Sequence, residues 1–280
     1  VCSSDLIATG IRGNWDDRRE VIAKSPSMVG VLRQAARAAQ SDASVLLLGE
    51  SGTGKEIVAQ YIHQHSPYRK KQMVAINCTS LPESLLEAEL FGYEKGAFTG
   101  AASGGKIGLI EAAANNTLLL DEVNSMPLSL QAKLLRVLET KAVIPVGSVK
   151  PRAVNFRLIC ASNVALAQCV KEGTFRMDLY YRLNVIPITI PPLRERREDI
   201  TPLADYFLDH FCQKYGLQKE FSSRVYQILN HYKWPGNIRE LRNLVEHMVV
   251  MSESSVVKIN QIPTGMLQLE PPSPESGPDR

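Results

Sequence analysis

Hydrophobic positions in the first two thirds of the chain fall into two alternating periods. Short apolar runs at Val45–Leu48, Met73–Ile76, Leu118–Leu120, Phe156–Cys160 and Val185–Ile190 are too brief for helices and predict buried strands. Between them apolar residues recur at helical spacing: Met28, Leu32, Ala35 and Ala39 behind the helix-opening pair Ser25-Pro26, a stretch with Leu85, Leu86 and Leu90, and another with Leu130, Leu134 and Leu138. Strand and helix in this alternation predict an α/β fold, a parallel five-stranded sheet sandwiched by helices. Beyond Pro191-Pro192 the strand signal stops, and Ile200–Tyr215, Arg224–Tyr232 and Ile238–Met248 predict a small three-helix domain. The expected organisation is a linker over 1–21, a nucleotide-binding domain over 22–192, a helical domain over 193–262 and a flexible linker over 263–280.

Composition narrows this picture without changing it. With 44% apolar and 22% charged residues the chain reads as an ordinary globular protein, and no apolar run approaches the ~20 residues needed to span a bilayer. The balance of 32 basic to 29 acidic residues is too mild to indicate nucleic-acid binding. Five scattered cysteines without a CxxC pair read as reduced thiols of a cytosolic protein. Residues 1–6, VCSSDL, match a translated sequencing adapter and are set aside, while the Pro- and Ser-rich LEPPSPESGPDR at 269–280 reads as a linker to a further domain.

The chemistry begins where the first strand ends. Residues 49–56, GESGTGKE, fit a phosphate-binding loop lying between a strand and a helix. Its glycines let the backbone N–H groups of Gly49, Glu50, Ser51, Gly52, Thr53 and Gly54 converge on phosphate oxygens, and Lys55 supplies a point charge. Glu56 stands where Ser or Thr usually holds Mg²⁺. The run Thr117–Glu122 then carries two adjacent carboxylates to a strand's C-terminal end, where open α/β sheets bind ligands. There Asp121 suits Mg²⁺ coordination and Glu122 suits activation of water. Between these motifs, ELFGYEKGAFTGA (89–101) displays Phe98 and Thr99 among pliable glycines, a surface suited to a partner.

Together these motifs resemble the central AAA+ P-loop ATPase of bacterial sigma-54-dependent transcription activators. GAFTGA, residues Gly96, Ala97, Phe98, Thr99, Gly100 and Ala101, is similar to the loop by which that family contacts sigma-54, and the GKE form of the P-loop is shared. The resemblance implies ATP and Mg²⁺ as ligands, sigma-54 RNA polymerase as partner, and DNA contact only through a separate C-terminal domain. It also implies roles for further residues. Asn77 matches an Asn that holds the catalytic Glu until ATP is in place, Asn163 matches the first sensor, and Arg239, in WPGNIREL, matches a second sensor for the γ-phosphate from the helical lid. Arg176 and Arg182, in FRMDLYYRL, match arginines projecting into a neighbouring subunit, so a homo-oligomeric ring, hexameric in the family, is implied, with Arg182 favoured as the main finger. Ser162 replaces the usual Thr, Asn116 and Asn124 replace frequent glycines, and Lys24 replaces a Gly near the family's adenine pocket. A different ring ATPase, of unfoldase or helicase type, shares the P-loop and acidic pair but lacks GAFTGA. A nucleotide switch without turnover is a further alternative, separable by an ATPase assay.

Overall fold

The computed structural model describes residues 21–97 and 104–262. Five strands form one parallel sheet: β1 (Val45–Leu48), β2 (Val74–Asn77), β3 (Thr117–Asp121), β4 (Arg157–Ser162) and β5 (Ile186–Thr189), in the order β2-β3-β4-β1-β5. Side chains alternate across a pleated strand, and the two sides of this sheet carry separate cores. Leu46, Leu118, Leu120, Leu158 and Cys160 pack on one side with helices α3 (Glu83–Phe91), α5 (Leu128–Thr140) and α7 (Met177–Leu183). Val45, Leu47, Leu119, Ile159 and Ile188 pack on the other with α1 (Pro26–Ala39) and α2 (Lys55–Gln64). The shorter helices α4 (Leu109–Ala112) and α6 (Leu166–Lys171) complete the helical layers.

Ser25 opens α1 as the sequence predicts, its Oγ accepting a hydrogen bond from the Met28 amide at 3.2 Å with Pro26 in the first turn. At the other end, the fully buried Arg157 of β4 donates to the carbonyls of Ala39 and Ala38, at 2.8 and 2.6 Å, and so satisfies orphan acceptors of the last turn.

The small domain packs α8 (Ile200–Tyr215), α9 (Ser223–His231) and α10 (Asn237–Met251) around a core that includes Phe211 and Trp234. Trp234 is fully buried, and its indole N–H donates to Leu229 O at 2.8 Å. The strand signal does not stop at Pro192: Glu220–Phe221 and Val256–Val257 pair in parallel and close this domain. No helix among the described residues is long and apolar enough to cross a membrane. Cys78, Cys160, Cys169 and Cys212 are free thiols, and burial pushes Cys78 up to about 12.

Candidate functional site

The phosphate loop takes its shape from two left-handed glycines and a buried lysine. Gly52 and Gly54 have φ of +77° and +98°, and Gly54 opens α2. A methyl group on Gly52 would lie 2.4 Å from Gly236 O, so the loop tolerates no side chain there. Lys55 folds back along the loop, its Nζ donating to Gly49 O at 2.8 Å and Glu50 O at 3.2 Å and lying 4.0 Å from Glu122 Oε1. Burial lowers the Lys55 pKa against the pull of Glu122 and Asp121.

Register builds the acidic half of the site. β2 pairs with β3 so that Asn77 lies opposite Asp121, on the same side of the sheet. The Asn77 amide therefore donates to Asp121 Oδ2, at 3.2 Å, while its own Oδ1 accepts from Thr79. This corrects the contact expected from the resemblance, in which Asn77 holds Glu122. Glu122 sits one residue past the pairing, in a left-handed conformation (φ +52°), with its amide donating to Asp121 Oδ1 at 3.0 Å. Burial raises the Glu122 pKa, while Lys55 and the Asn163 amide act to lower it. Its Oε1 faces the loop lysine, while its Oε2 is buried without a hydrogen-bond partner.

Asn163 follows β4 immediately and is exposed. Two of the unusual residues meet beneath it: Ser162 Oγ lies 2.9 Å from Asn124 Oδ1, tying the turn after Glu122 to the turn before α6.

The small domain closes over the loop at four consecutive residues. Arg239 donates to Ser51 Oγ at 2.9 Å, the Ile238 amide to Gly52 O at 2.9 Å, and Arg196 to Thr53 O at 2.6 Å. The Glu50 carboxylate turns toward Arg194 and Asn237. The sequence reading missed Arg194, Arg196, Asn237 and Asp199. Their available signals were the charges of LRERRED directly after Pro191-Pro192 and the Asn of WPGN, which has φ of +53°. Fully buried Asp199 accepts from the amides of Lys24 and Ser25 at 2.6 and 2.7 Å and from Ser25 Oγ at 2.8 Å, so the Lys24 position serves domain docking through its backbone.

Of the GAFTGA residues, Gly96 and Ala97 are described, while Phe98, Thr99, Gly100 and Ala101 lie outside the described residues. The loop's base is a ladder of Gly92–Tyr93 with Lys106–Ile107. A second hairpin, Ala142–Val143 with Arg152–Ala153, supports it. The Glu94 amide donates to Val146 O at 3.0 Å, and Arg152 bridges Glu94 and Glu111 at 2.6 and 2.8 Å. That hairpin carries no sequence period and went unpredicted.

Comparison with known proteins decides the family. A model described as the sigma-54 interaction domain matches residues 21–189, and one described as an AAA+ ATPase lid domain matches residues 194–278. The chain belongs to the sigma-54 interaction domain family. It is 47% identical over 249 residues to the regulatory protein AtoC of Escherichia coli strain K12, covering 89% of this chain and 54% of AtoC. It is also 47% identical over 247 residues to the nitrogen fixation protein VnfA of Azotobacter vinelandii, covering 88% of this chain and 47% of VnfA. The chain thus spans about half the length of these relatives. The crystal structure of NtrX from Brucella abortus in complex with ATP superposes with a TM-score of 0.82 at 32% identity, covering 93% of this chain and 58% of that one.

Within a sigma-54 interaction domain the acidic pair also bears on metal binding. Among the described residues no group of three or more His, Cys, Asp or Glu side chains is arranged to hold a metal ion. One or two carboxylates completed by phosphate oxygens is the usual Mg²⁺ arrangement in phosphoryl-transfer sites, and Asp121 at the end of β3 fits it. Glu56 is exposed in the first turn of α2.

The two arginines lie elsewhere. Arg176 caps α7 and pairs with Asp178 at 2.7 Å, and exposed Arg182 donates to Leu138 O at 3.3 Å. Neither contact involves a P-loop residue. Met177, Tyr181 and Val185 beside them are 60%, 67% and 55% exposed.

Proposed function

We propose that this domain hydrolyses ATP as a homo-oligomer in the cytoplasm and uses the cycle to remodel sigma-54 RNA polymerase through the GAFTGA loop. The observation that carries the reading is the convergence of Lys55, Asp121, Glu122 and Arg239 around one glycine loop, with the partner loop built on α3, shortly after Asn77.

In this reading the loop amides and Lys55 hold the phosphates, and Lys55 exchanges its carbonyl contacts for phosphate oxygens. Glu122, with one carboxylate oxygen lacking a hydrogen-bond partner, takes a proton from the attacking water. Mg²⁺ held by Asp121 would neutralise charge on the transferring group. Arg239 approaches the γ-phosphate from the lid, and Asn163 orients the water from the end of β4. Arg182, assisted by Arg176, completes the site of a neighbouring copy, and the exposed apolar side chains beside them favour a protein contact over solvent. Asn77 links Asp121 to the segment leading into α3, so a change at the acidic strand end is transmitted toward the loop base. DNA contact is assigned to a separate domain of the full-length protein.

The test is Mg²⁺-dependent phosphate release from ATP by the purified chain, compared with Lys55→Ala. Turnover that rises with protein concentration and is lost with Lys55 supports the reading. Absence of turnover at every concentration, with nucleotide bound, refutes it.

A further inference from the structure

Glu50 lies inside the phosphate loop, yet its side chain faces the lid. Both carboxylate oxygens accept from Arg194, Oε2 from Nη1 at 2.8 Å and Oε1 from Nη2 at 2.5 Å, in the bidentate geometry that gives guanidinium–carboxylate pairs their specificity. Asn237 Nδ2 donates to Glu50 Oε2 at 3.2 Å and to Ser51 O at 3.0 Å. The Asn237 Oδ1 in turn accepts from the Leu193 amide at 2.8 Å. Arg194 belongs to the segment crossing between the two domains, and Asn237 begins α10, two residues before Arg239. Glu50 thus joins three parts that must be in register: the phosphate loop, the crossing segment and the helix that carries Arg239.

We infer that Glu50, Arg194 and Asn237 form a latch that fixes the lid over the phosphate loop, making Arg194 a positioning residue for Arg239 and a brake on nucleotide release. The inference rests on the nucleotide-site reading above and adds a device to it. The arrangement suits a latch better than a static strut. Asn237 is fully buried, but Glu50 and Arg194 each remain about two-fifths exposed, so water can replace the pair when the lid opens. The hydrogen bonds from Arg194 and Asn237 hold the Glu50 carboxyl down to about 2, so the latch stays charged throughout the physiological range. No phosphate contact of Glu50 is needed; its backbone amide remains available to the loop while its side chain serves the lid.

The experiment uses the whole chain, with Glu50→Gln, Arg194→Lys and the double variant. Release of N-methylanthraniloyl-ADP is followed by stopped-flow fluorescence, kcat and KM for ATP by phosphate release, and folding by thermal melting. Each single variant should speed release by roughly 3- to 10-fold, the range of an exposed but bidentate charged pair. The kcat should fall with it as Arg239 loses register, and the melting temperature should stay near that of the unmodified chain. The double variant should be no faster than the faster single one, because the pair acts as a unit. Unchanged release in both single variants, or independent multiplication of their effects, would overturn the latch while leaving the nucleotide site intact. An unmodified chain that binds no ADP would overturn the nucleotide-site reading and the latch with it.

Discussion

Replacing Glu122 by Gln separates chemistry from binding more cleanly than any other single change in the site. The two side chains are nearly isosteric, so packing is kept and only the charge and the proton-accepting oxygen are lost. At 4.0 Å from Lys55 the lost attraction is about 4 kcal/mol at an effective dielectric of ~20. Against this stands the cost of keeping two ions out of water, several kcal/mol per ion. Burial is the leading cause of both pKa shifts, Glu122 upward and Lys55 downward, so desolvation outweighs the attraction for each partner. Lys55 also keeps its two carbonyl acceptors in the variant. The two effects oppose each other, and Asp121 and the two carbonyl acceptors stay beside Lys55, so the loss of stability should be smaller than either effect alone, a shift of a few degrees in melting temperature. Hydrolysis, by contrast, loses its base, and kcat should fall by roughly 10²–10⁴. In the unmodified protein the raised Glu122 pKa means the carboxylate is protonated as pH falls through a value above the usual carboxylate range, so kcat should show an acidic limb. That limb should vanish in Glu122→Gln. Phosphate release across pH 5–8, fluorescent-nucleotide titration and thermal melting read all three quantities. A variant that keeps a third or more of its turnover, or that no longer binds nucleotide, would refute the assignment of Glu122 as base.

Two further outcomes follow from the same geometry. Trp234→Ala removes the fully buried indole at the centre of the lid and its hydrogen bond to Leu229, and should cost about 3–5 kcal/mol, read as a lower urea midpoint. If Arg182 acts on a neighbouring copy, Arg182→Ala and Lys55→Ala chains, each inactive alone, should regain phosphate release when mixed. A mixture that stays silent, although the chains co-assemble by light scattering, would place Arg182 outside the site.

The fold was largely legible because its strands are short apolar runs set between helical repeats. Three leucines announced β3, and the side-to-side division of Leu118, Leu119 and Leu120 between two cores follows directly from the pleat. Two-residue strands offer no period to detect, so the hairpin beneath the GAFTGA loop and the ladder closing the lid were invisible. The P-loop and acidic pair could be named from local spacing, but partners could not. Asn77 was expected to meet Glu122, whereas strand register sets it opposite Asp121. The Glu50–Arg194 pair joins residues 144 positions apart, a separation that no local motif encodes. Lys24 stands where the resemblance expects a Gly near the adenine pocket, and its backbone amide makes the contact with Asp199.

The central claim is that nucleotide state at Lys55, Asp121 and Glu122 governs engagement of sigma-54 by residues 96–101. The most direct measurement is capture of purified sigma-54 by the chain with no nucleotide, with ADP, and with ADP plus aluminium fluoride as a mimic of phosphoryl transfer, for the unmodified chain and for Thr99→Ala. Capture confined to the mimic, and lost in Thr99→Ala while ATP turnover persists, is the predicted result. A chain that turns over ATP yet captures sigma-54 equally in every nucleotide state, or in none, would contradict the account.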